Sequence, residues 1–355
     1  MAEHNGRKRI VKRKKKRLAK KRIAIVLVPI LLICAAGLVY FTSLYKKAED
    51  VLSDSHVNDG RDKSELRQDL VDPSEDHVSI LLIGVDASEI RDNSDHARSD
   101  TLILATLNKS DHSVKMVSIP RDSYVYVPEV GRKTKINHAH AYGGTQATIE
   151  TVEQLLDIPV DYWAKVNFDA FIDVVDAING VTIDVPYELY EQNSQDVANA
   201  IHLLPGRQLL DGEEALALSR TRKLDNDIER GKRQQEIIKA VVKKSASLNS
   251  FLKFDDIIEA VGKNMTTNMT FSEMKNFISY GTKGNLNFDT MSLEGNDLWV
   301  YEPQKAYYWE LDALALDQTK QELQNHLELE PIVSDSPSTT YDQEIAQPEE
   351  EDSVY

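Results

Sequence analysis

The feature that most constrains this chain is an uncharged apolar run of 19 residues near its N-terminus, IAIVLVPILLICAAGLVYF at residues 23–41. An α-helix needs about 20 such residues to cross the hydrocarbon core of a bilayer. No small-residue cleavage site follows the run, which continues into FTSLYKKAED, where Tyr45 suits the membrane interface. The alternative is a cleaved signal peptide, but the sequence favours one N-terminal transmembrane helix that is retained as an anchor.

Charge is distributed unevenly around this run. Residues 1–22 carry 12 Lys or Arg and one Glu, although the formal net charge of the whole chain is −16. Because positive residues concentrate on the cytoplasmic side of a membrane span, we expect a single-pass type II protein of the cell membrane, with everything after residue 41 extracellular. The basic arm could instead bind nucleic acid, but membrane topology and anionic headgroups account for it, and we expect no nucleic acid partner.

Composition divides the rest of the chain. Residues 42–77 are polar and acidic and are expected to form an extracellular linker or stalk. Residues 332–355 are acidic, contain Pro and Ser and lack apolar periodicity, which predicts a disordered tail. One folded domain is therefore expected at residues 78–331. The only cysteine, Cys34, lies in the anchor, so that domain uses no disulfide, as suits a bacterial cell envelope.

Three apolar runs predict strands at residues 80–85, 101–107 and 114–119. The link NKSDHS between the second and third is short and rich in turn residues, which favours a hairpin. If the first two strands are also antiparallel, the end of the first, the start of the second and the end of the third meet at one end of the sheet. The residues gathered there would be Asp86, Arg98, Asp100, Arg121 and Asp122.

Asp86 and Asp100 are candidate ligands for a metal ion. Two carboxylates close together repel unless a cation lies between them. Mg²⁺ is favoured over Ca²⁺, because two carboxylates leave most of its octahedron to water and phosphate oxygens, and Mn²⁺ is an alternative. His138 and His140, in NHAH, could suggest a metal pair, but residues two apart do not share a helical face, and a structural role is preferred.

Further along the chain, helix and strand patterns alternate. Helices are predicted from Thr145 and Asp169, strands from Tyr162 and Val181, and a short helix capped by Asp211. This order predicts an α/β fold in which helices flank a mixed central sheet in α-β-α layers. The GVD after the first strand lacks G-x-G-x-x-G, which excludes a dinucleotide site of that type.

The segment SRTRKLDNDIERGKRQQ, residues 219–235, concentrates positive charge. If Asp227 is an N-cap, the helix after it places Arg230 and Gln234 in line with Ile237 and Val241 on the core-facing stripe. Arg220 and Arg222 point the same way if their segment is extended. Together these groups would suit the oxygens of a phosphate or pyrophosphate. The alternative is internal neutralisation of the arginines by Asp225, Asp227 and Glu229.

Six motifs in this order resemble those of the LytR-CpsA-Psr family and span about residues 78–245. They are ILLIGVD, RSDTLILATLN, VSIPRDSYVYVP, KINHAHAYGG, DYWAKVNFDAFIDVVDAINGV and LSRTRKLDNDIERGKRQQ. The resemblance implies an enzyme that moves an anionic glycopolymer, such as wall teichoic acid or capsule, from a polyprenyl-pyrophosphate carrier to peptidoglycan through a phosphodiester. It also implies that the lipid tail lies in an apolar pocket of an α-β-α fold.

The resemblance assigns roles to individual positions. Asp86 and Asp100 would handle the Mg²⁺ and, with Arg121 and Asp227, form the catalytic group. The pyrophosphate would be held by Arg98, Arg121, Arg220, Arg222, Arg230 and Gln234. Asp227 would orient an arginine or take part in proton transfer.

Two departures from the family pattern are visible. GVDASEI lacks an arginine that often follows the first motif, and Leu218 and Ser219 stand where many members have Tyr and Val. Two other functions also fit parts of the pattern: a membrane-bound transcriptional regulator, which would have to use the basic arm, and a lipid pyrophosphatase, which would cleave the same bond with water.

Overall fold

The computed structural model of the protein describes residues 42–43, 45–85, 97–223, 225–247, 262, 265–282, 286–301 and 305–329. The predicted basic arm, anchor and acidic tail lie outside these residues, as does Asp86. Within the described ranges, no helix is both long and apolar enough to cross a membrane.

The described part of the chain alternates strands and helices. The strands are β1 (Val78–Val85), β2 (Ser99–Asn108), β3 (Ser113–Ser118), β4 (Tyr124–Val127), β5 (Arg132–Lys135), β6 (Tyr162–Val166), β7 (Val181–Val185), β8 (Leu189–Glu191), β9 (Ile201–Leu203), β10 (Gly206–Leu210), β11 (Met265–Thr267), β12 (Asn287–Ser292), β13 (Gly295–Val300) and β14 (Ala306–Leu311). The helices are α1 (His138–Leu156), α2 (Phe168–Ala177), α3 (Gly212–Arg220), α4 (Asp227–Ser247), α5 (Phe271–Thr282) and α6 (Ala313–His326).

A mixed six-stranded sheet with the order β11-β6-β1-β2-β3-β12 forms the centre. Strand β1 shows why both faces are covered: Leu81 and Ile83 point into one apolar core, whereas Val78 and Ile80 pack in another. The first core includes α1 and α6, and the second includes α4 and α5. Successive strand residues face opposite sides, so an almost continuous apolar strand requires helices on both. The predicted α/β fold with a mixed sheet between helices is confirmed.

The register of the sheet decides which residues meet at its ends. Strands β1 and β2 are antiparallel, with Val85 opposite Ser99, and β2 and β3 are antiparallel, with Ile103 opposite Ser118. Strand β6 runs parallel to β1 and pairs Val166 with Gly84. We name the end of the sheet with the last residues of β1, β3 and β6 the Asp100 end, and the other the Ser79 end. The predicted hairpin topology is thus confirmed.

Residues 45–77, expected from composition to be a linker, pack against the domain. Residues 45–54 are helical, and Ala48 and Leu52 in this stretch belong to the second apolar core. Arg67 ion-pairs with Asp161 next to β6. Ala48 and Leu52 are buried in the core, and Arg67 is paired with a residue of the domain. The boundary expected at residue 78 therefore does not separate this stretch from the folded unit.

Helix α1 begins earlier than predicted. It starts at His138 rather than Thr145, and its first and second halves meet at a kink formed by Gly143 and Gly144. Gly144 has a φ of 63°, which glycine adopts without the steric cost that other residues meet. The glycine pair therefore joins two helical segments where the sequence pattern showed only the second.

Candidate active site

Asp100 and Arg121 meet at the Asp100 end of the sheet. Asp100 lies near the start of β2, and Arg121 follows β3 after Pro120. The Nη1 of Arg121 donates a hydrogen bond to Oδ1 of Asp100. Burial alone would lower the pKa of Arg121, but the carboxylate of Asp100, with those of Asp122 and Asp227, raises it above its ordinary value. The predicted convergence of these two strand ends is therefore present.

Arg230 reaches the same place from helix α4. Its Nη2 donates to the main-chain oxygen of Asp100 at 2.9 Å and lies 2.9 Å from Oδ1 of Asp227. The residue is only 6% exposed. Its pKa is lowered, chiefly by burial and also by the positive charges of Arg121 and Arg222, which together outweigh the attraction of Asp227. The nearby carboxylates thus do not fully offset the burial of this guanidinium.

Asp227 does not cap α4 as predicted. The side chain of Asn226 accepts from the main-chain N–H of Glu229 at 3.1 Å, so Asn226 takes the capping position and Asp227 begins the helix. Either residue type caps well, and the one whose side chain reaches the third amide takes the role. Asp227 faces the arginines instead, 3.7 Å from Nη1 of Arg222.

The remaining predicted pyrophosphate ligands flank this group. Arg220 is the last residue of α3, and its guanidinium lies 4.7 Å from the ring centroid of Phe168, at the start of α2. Arg220 is therefore helical, and the extended segment that would make it point the same way as Arg222 is not present at this residue. Gln234 donates to the main-chain oxygen of Ser219 at 3.1 Å and so joins α4 to α3. Arg98 is exposed just before β2.

Internal neutralisation, the alternative reading of the charge run, holds for part of it. Asp225 accepts from both Nη atoms of Arg233, and its Oδ2 also accepts from the hydroxyl of Tyr187 at 2.8 Å. Glu229 pairs with Lys232 on the exposed face of α4 at 2.7 Å. Asp227 is then the member of the three that faces Arg222 and Arg230, so these two are incompletely neutralised.

Several supporting residues were missed by the sequence patterns. Lys135 of β5 lies 2.7 Å from Oδ1 of Asp122, whose Oδ2 is 3.9 Å from Nε of Arg121. Gln235 is buried and donates to two main-chain oxygens, of Met116 at 2.9 Å and Met291 at 2.8 Å. These bonds hold α4 on the sheet and so place Arg230. The turn signal before β5 could have identified Lys135, but no local pattern predicts Gln235.

Close packing also fixes the position of Arg230. A Cβ atom on Gly231 would lie 2.3 Å from Oγ of Ser118, at the end of β3. No side chain fits at that distance, so only glycine lets the start of α4 approach β3 this closely. The neighbouring arginine is thereby brought within reach of Asp100.

The histidines of NHAH have polar partners. Nδ1 of His138 lies 2.8 Å from Oγ1 of Thr134, and Nδ1 of His140 lies 2.7 Å from the main-chain oxygen of Ala97. Burial lowers the pKa of His138, and the positive charges of Arg98 and Lys135 lower it further. Among the described residues, no group of three or more His, Cys, Asp or Glu side chains could hold a metal ion.

The arrangement suits an anion with several oxygen atoms. The Nε atoms of Arg121 and Arg230 are both buried and have no hydrogen-bond partner within the described part of the chain. A buried donor without a partner costs about 1–3 kcal/mol, and more when it is charged. Among the described side chains, the carboxylates of Asp100, Asp122 and Asp227 face four positive groups here, of Arg121, Arg222, Arg230 and Lys135. An anionic ligand would supply the missing negative charge and acceptor atoms.

The chain is similar to known proteins at the level of family and of individual relatives. The LytR_cpsA_psr family matches residues 39–325. The polyisoprenyl-teichoic acid–peptidoglycan teichoic acid transferase TagT of Bacillus subtilis (strain 168) is 40% identical over 321 residues, which cover 89% of this chain and 98% of TagT.

Solved structures share the fold. A structure of TagT bound to LIIa-WTA has a TM-score of 0.67 and 40% identity, covering 77% of this chain and all of that one. The family protein YwtF (TagT) with bound octaprenyl pyrophosphate lipid has a TM-score of 0.62 and 38% identity, with 77% and 100% covered. These relatives share both the fold and more than a third of the sequence with this chain.

Proposed function

The chain belongs to the LytR_cpsA_psr family, and on that premise we propose that it transfers a teichoic acid from a polyprenyl-pyrophosphate carrier to peptidoglycan through a phosphodiester. The relative with 40% identity is a teichoic acid transferase, and a related structure holds a prenyl pyrophosphate lipid. Transfer from the carrier and binding of the lipid both require a site for a pyrophosphate. The arginine group at the Asp100 end of the sheet is suited to it.

The observation that carries the proposal is that the guanidinium groups of Arg121 and Arg230 are incompletely neutralised. Arg230 is buried beside Arg121, and each has a buried Nε without a partner among the described residues. Bidentate guanidinium groups match phosphate oxygens in geometry and charge. A pyrophosphate would supply acceptors for these donors and offset the excess positive charge.

The reaction that this group supports is a phosphoryl transfer. A sugar hydroxyl of peptidoglycan attacks the phosphorus that bears the teichoic acid, the new oxygen–phosphorus bond forms, and polyprenyl phosphate leaves with the electrons of the broken bond. Arg121, Arg222 and Arg230 would stabilise the charge on the phosphoryl oxygens, which is the main means of catalysis in such reactions. Asp227 would hold Arg230 and Arg222 in place or accept the proton of the hydroxyl.

A divalent cation is proposed beside the pyrophosphate, with Asp86 and Asp100 as its protein ligands. The residues fit a Mg²⁺ ion by chemistry, since one or two carboxylates together with substrate phosphates are its usual ligands. Bound there, Mg²⁺ or Mn²⁺ would neutralise charge on the phosphate oxygens. Unchanged transfer after removal of divalent ions with EDTA would contradict this part of the proposal.

The membrane arrangement is proposed from residues 1–41. The anchor at residues 23–41 would keep the domain outside the cell, next to a lipid-linked donor and to peptidoglycan. An alkaline phosphatase fusion after residue 77 should be active, since that enzyme folds only outside the cytoplasm. An inactive fusion would place the domain inside, where a regulatory role would become the better reading.

The transfer assay uses the purified full-length chain in detergent, polyprenyl-pyrophosphate-linked teichoic acid and peptidoglycan fragments with Mg²⁺. The wild type should form a phosphodiester-linked product, and Arg121→Ala should lower its rate by about 10²–10³. The matched control is Lys232→Ala, on the exposed face of α4, which should leave the rate unchanged. Release of polyprenyl phosphate at the same rate without acceptor, and no linked product with it, would indicate a lipid pyrophosphatase instead.

A further inference from the structure

Next to the arginine group lies a surface of aromatic side chains. Trp299, Tyr301 and Tyr126 are 47%, 68% and 44% exposed. They come from β4 and from the hairpin of β13 and β14. The full set, named the aromatic surface here, consists of Tyr124, Tyr126, Trp299, Tyr301, Tyr307 and Tyr308. Clustered exposed rings are uncommon on a protein surface and indicate a binding site more often than scattered ones do.

Two pairs of rings within this surface are in contact, and three lysines lie against its rings. Trp299 and Tyr307 lie across the hairpin with centroids 5.4 Å apart, and Tyr124 and Tyr308 are 4.7 Å apart. The ammonium of Lys305 lies 4.5 Å from the ring centroid of Trp299. Lys135 lies within 5.8 Å of the rings of Tyr307 and Tyr308, and Lys133 is 5.9 Å from that of Tyr124. The surface therefore combines flat apolar faces with positive charge.

Direct contacts join the aromatic surface to the arginine group. Lys135, which lies over Tyr307, is 2.7 Å from Asp122, and Asp122 is 3.9 Å from Arg121. The main-chain N–H of Trp309 in β14 donates to the main-chain oxygen of Asp122 at 2.8 Å. The hairpin is thus attached at the residue that follows Arg121, and a chain lying along its rings would end at the site of phosphoryl transfer.

A cavity of 420 Å³ extends the aromatic surface on the side of Tyr124. Tyr124 and Tyr126 line it together with Lys133, Glu310 and Lys320. Leu155, Leu311 and Leu316 also line it, so the cavity combines ring faces, apolar side chains and charged hydrogen-bonding groups. It suits a ligand that carries both apolar faces and many hydroxyl or carboxylate groups.

We propose that the aromatic surface and this cavity bind the sugar chain of the peptidoglycan acceptor, an inference that rests on the proposed transfer function. Sugar rings present flat C–H faces, which pack on aromatic rings, and hydroxyls, which bond to polar side chains. The carboxylates of peptidoglycan match Lys133 and Lys305. The donor would enter through its phosphates at the arginines.

The test is co-sedimentation of the full-length chain in detergent with insoluble peptidoglycan from which teichoic acid has been removed. The double variant Trp299→Ala with Tyr301→Ala should bind at least about tenfold more weakly than wild type, since Trp and Tyr are enriched among the few interface residues that carry most of the binding energy. The control is Tyr190→Ala on β8, whose ring is 46% exposed and stacks on His202, away from this hairpin. The control should bind as wild type does.

A kinetic measurement separates the acceptor from the donor. The double variant should raise the KM for peptidoglycan fragments about tenfold and leave the KM for the lipid-linked teichoic acid unchanged. An increase confined to the lipid-linked substrate would assign the surface to the teichoic acid chain and overturn the proposal, as would unchanged peptidoglycan binding. Because co-sedimentation needs no turnover, it still reports on this surface if the wild type transfers nothing.

Discussion

Buried arginines are fully paired at one end of the central sheet and incompletely paired at the other. At the Ser79 end, Arg67 donates to both oxygens of Asp161, at 2.9 and 2.7 Å, and also to the main-chain oxygen of His77 at 3.0 Å. Asp161 accepts in addition from the main-chain N–H of Ser79 at 2.9 Å. At the Asp100 end, Arg230 shares Asp227 with Arg222 and lies close enough to Arg121 for repulsion.

The difference separates a structural ion pair from a binding site. Arg67 and Asp161 match each other one to one, and their partner oxygens and N–H groups are satisfied, so nothing further is needed there. At the Asp100 end, four positive groups meet three carboxylates among the described side chains, since Lys135 stands beside Arg121, Arg222 and Arg230. The pKa of Arg230 is lowered because the cost of burial is not fully offset. An incomplete match of charge in a fixed framework leaves donors for a ligand, whereas a complete match stabilises the fold.

The largest effect on stability is expected at the Ser79 end. Arg67→Ala leaves the buried carboxylate of Asp161, 1% exposed, without its partner. Breaking a buried pair in this way should lower the free energy of unfolding by about 3–5 kcal/mol. Urea denaturation followed by tryptophan fluorescence measures this.

Lys109→Ala provides the matched control, because Lys109 forms an exposed pair with Glu75 and should cost no more than about 1 kcal/mol. Equal losses for the two variants would show that the Ser79 end is not the stabilising one.

The next effect is on activity at the Asp100 end. Arg230→Ala should lower the rate of transfer by about 10²–10³, because a donor to the phosphoryl oxygens is lost. Its stability should fall less than that of Arg67→Ala, since the repulsion by Arg121 and Arg222 is relieved. Arg230→Lys keeps the charge without the forked donors and should be intermediate in rate. A stability loss as large as that of Arg67→Ala, with normal transfer, would show that Arg230 has a structural role and that the two ends do not differ as described.

The smallest effect is a pH dependence of stability from His326, also at the Ser79 end. Its ring nitrogens lie 2.8 Å from the hydroxyl of Thr106 and 2.6 Å from that of Ser113. Burial, with Lys115 and His77 nearby, lowers its pKa below the ordinary 6.5 despite Asp111 and Glu322. The unfolded chain therefore binds the proton more readily, so stability contributed by the neutral ring is complete above about pH 6.5 and falls as pH decreases below it.

Urea denaturation at pH 7.5 and 5.5 measures this dependence. His326→Gln, which keeps polar contacts without titrating, should reduce the difference between the two pH values. An unchanged difference would mean that other groups control the acid sensitivity of the fold.

Features that depend on residues close together in the sequence were predictable, whereas those that depend on distant residues were not. Apolar runs joined by a short turn predict β2 and β3 as a hairpin, and helix periodicity predicts Arg230 on the inner face of α4. Both are patterns within a few residues. Neither pattern distinguishes Asn226 from Asp227 as the cap, because both side chains accept the same bond. The choice depends on Arg222 and Arg230, which lie beside the carboxylate of Asp227.

The sequence by itself determined the hairpin of β2 and β3, the helix phase of the charge run and the family, because these follow from local periodicity and from motifs in order. Only the tertiary structure decided which charges are paired. Arg67 meets Asp161 across 94 residues, and Arg230 meets the main chain of Asp100 across 130. Such pairs depend on the register and packing of the whole sheet, so the same residue type stabilises the fold at one end and is available to a phosphate at the other.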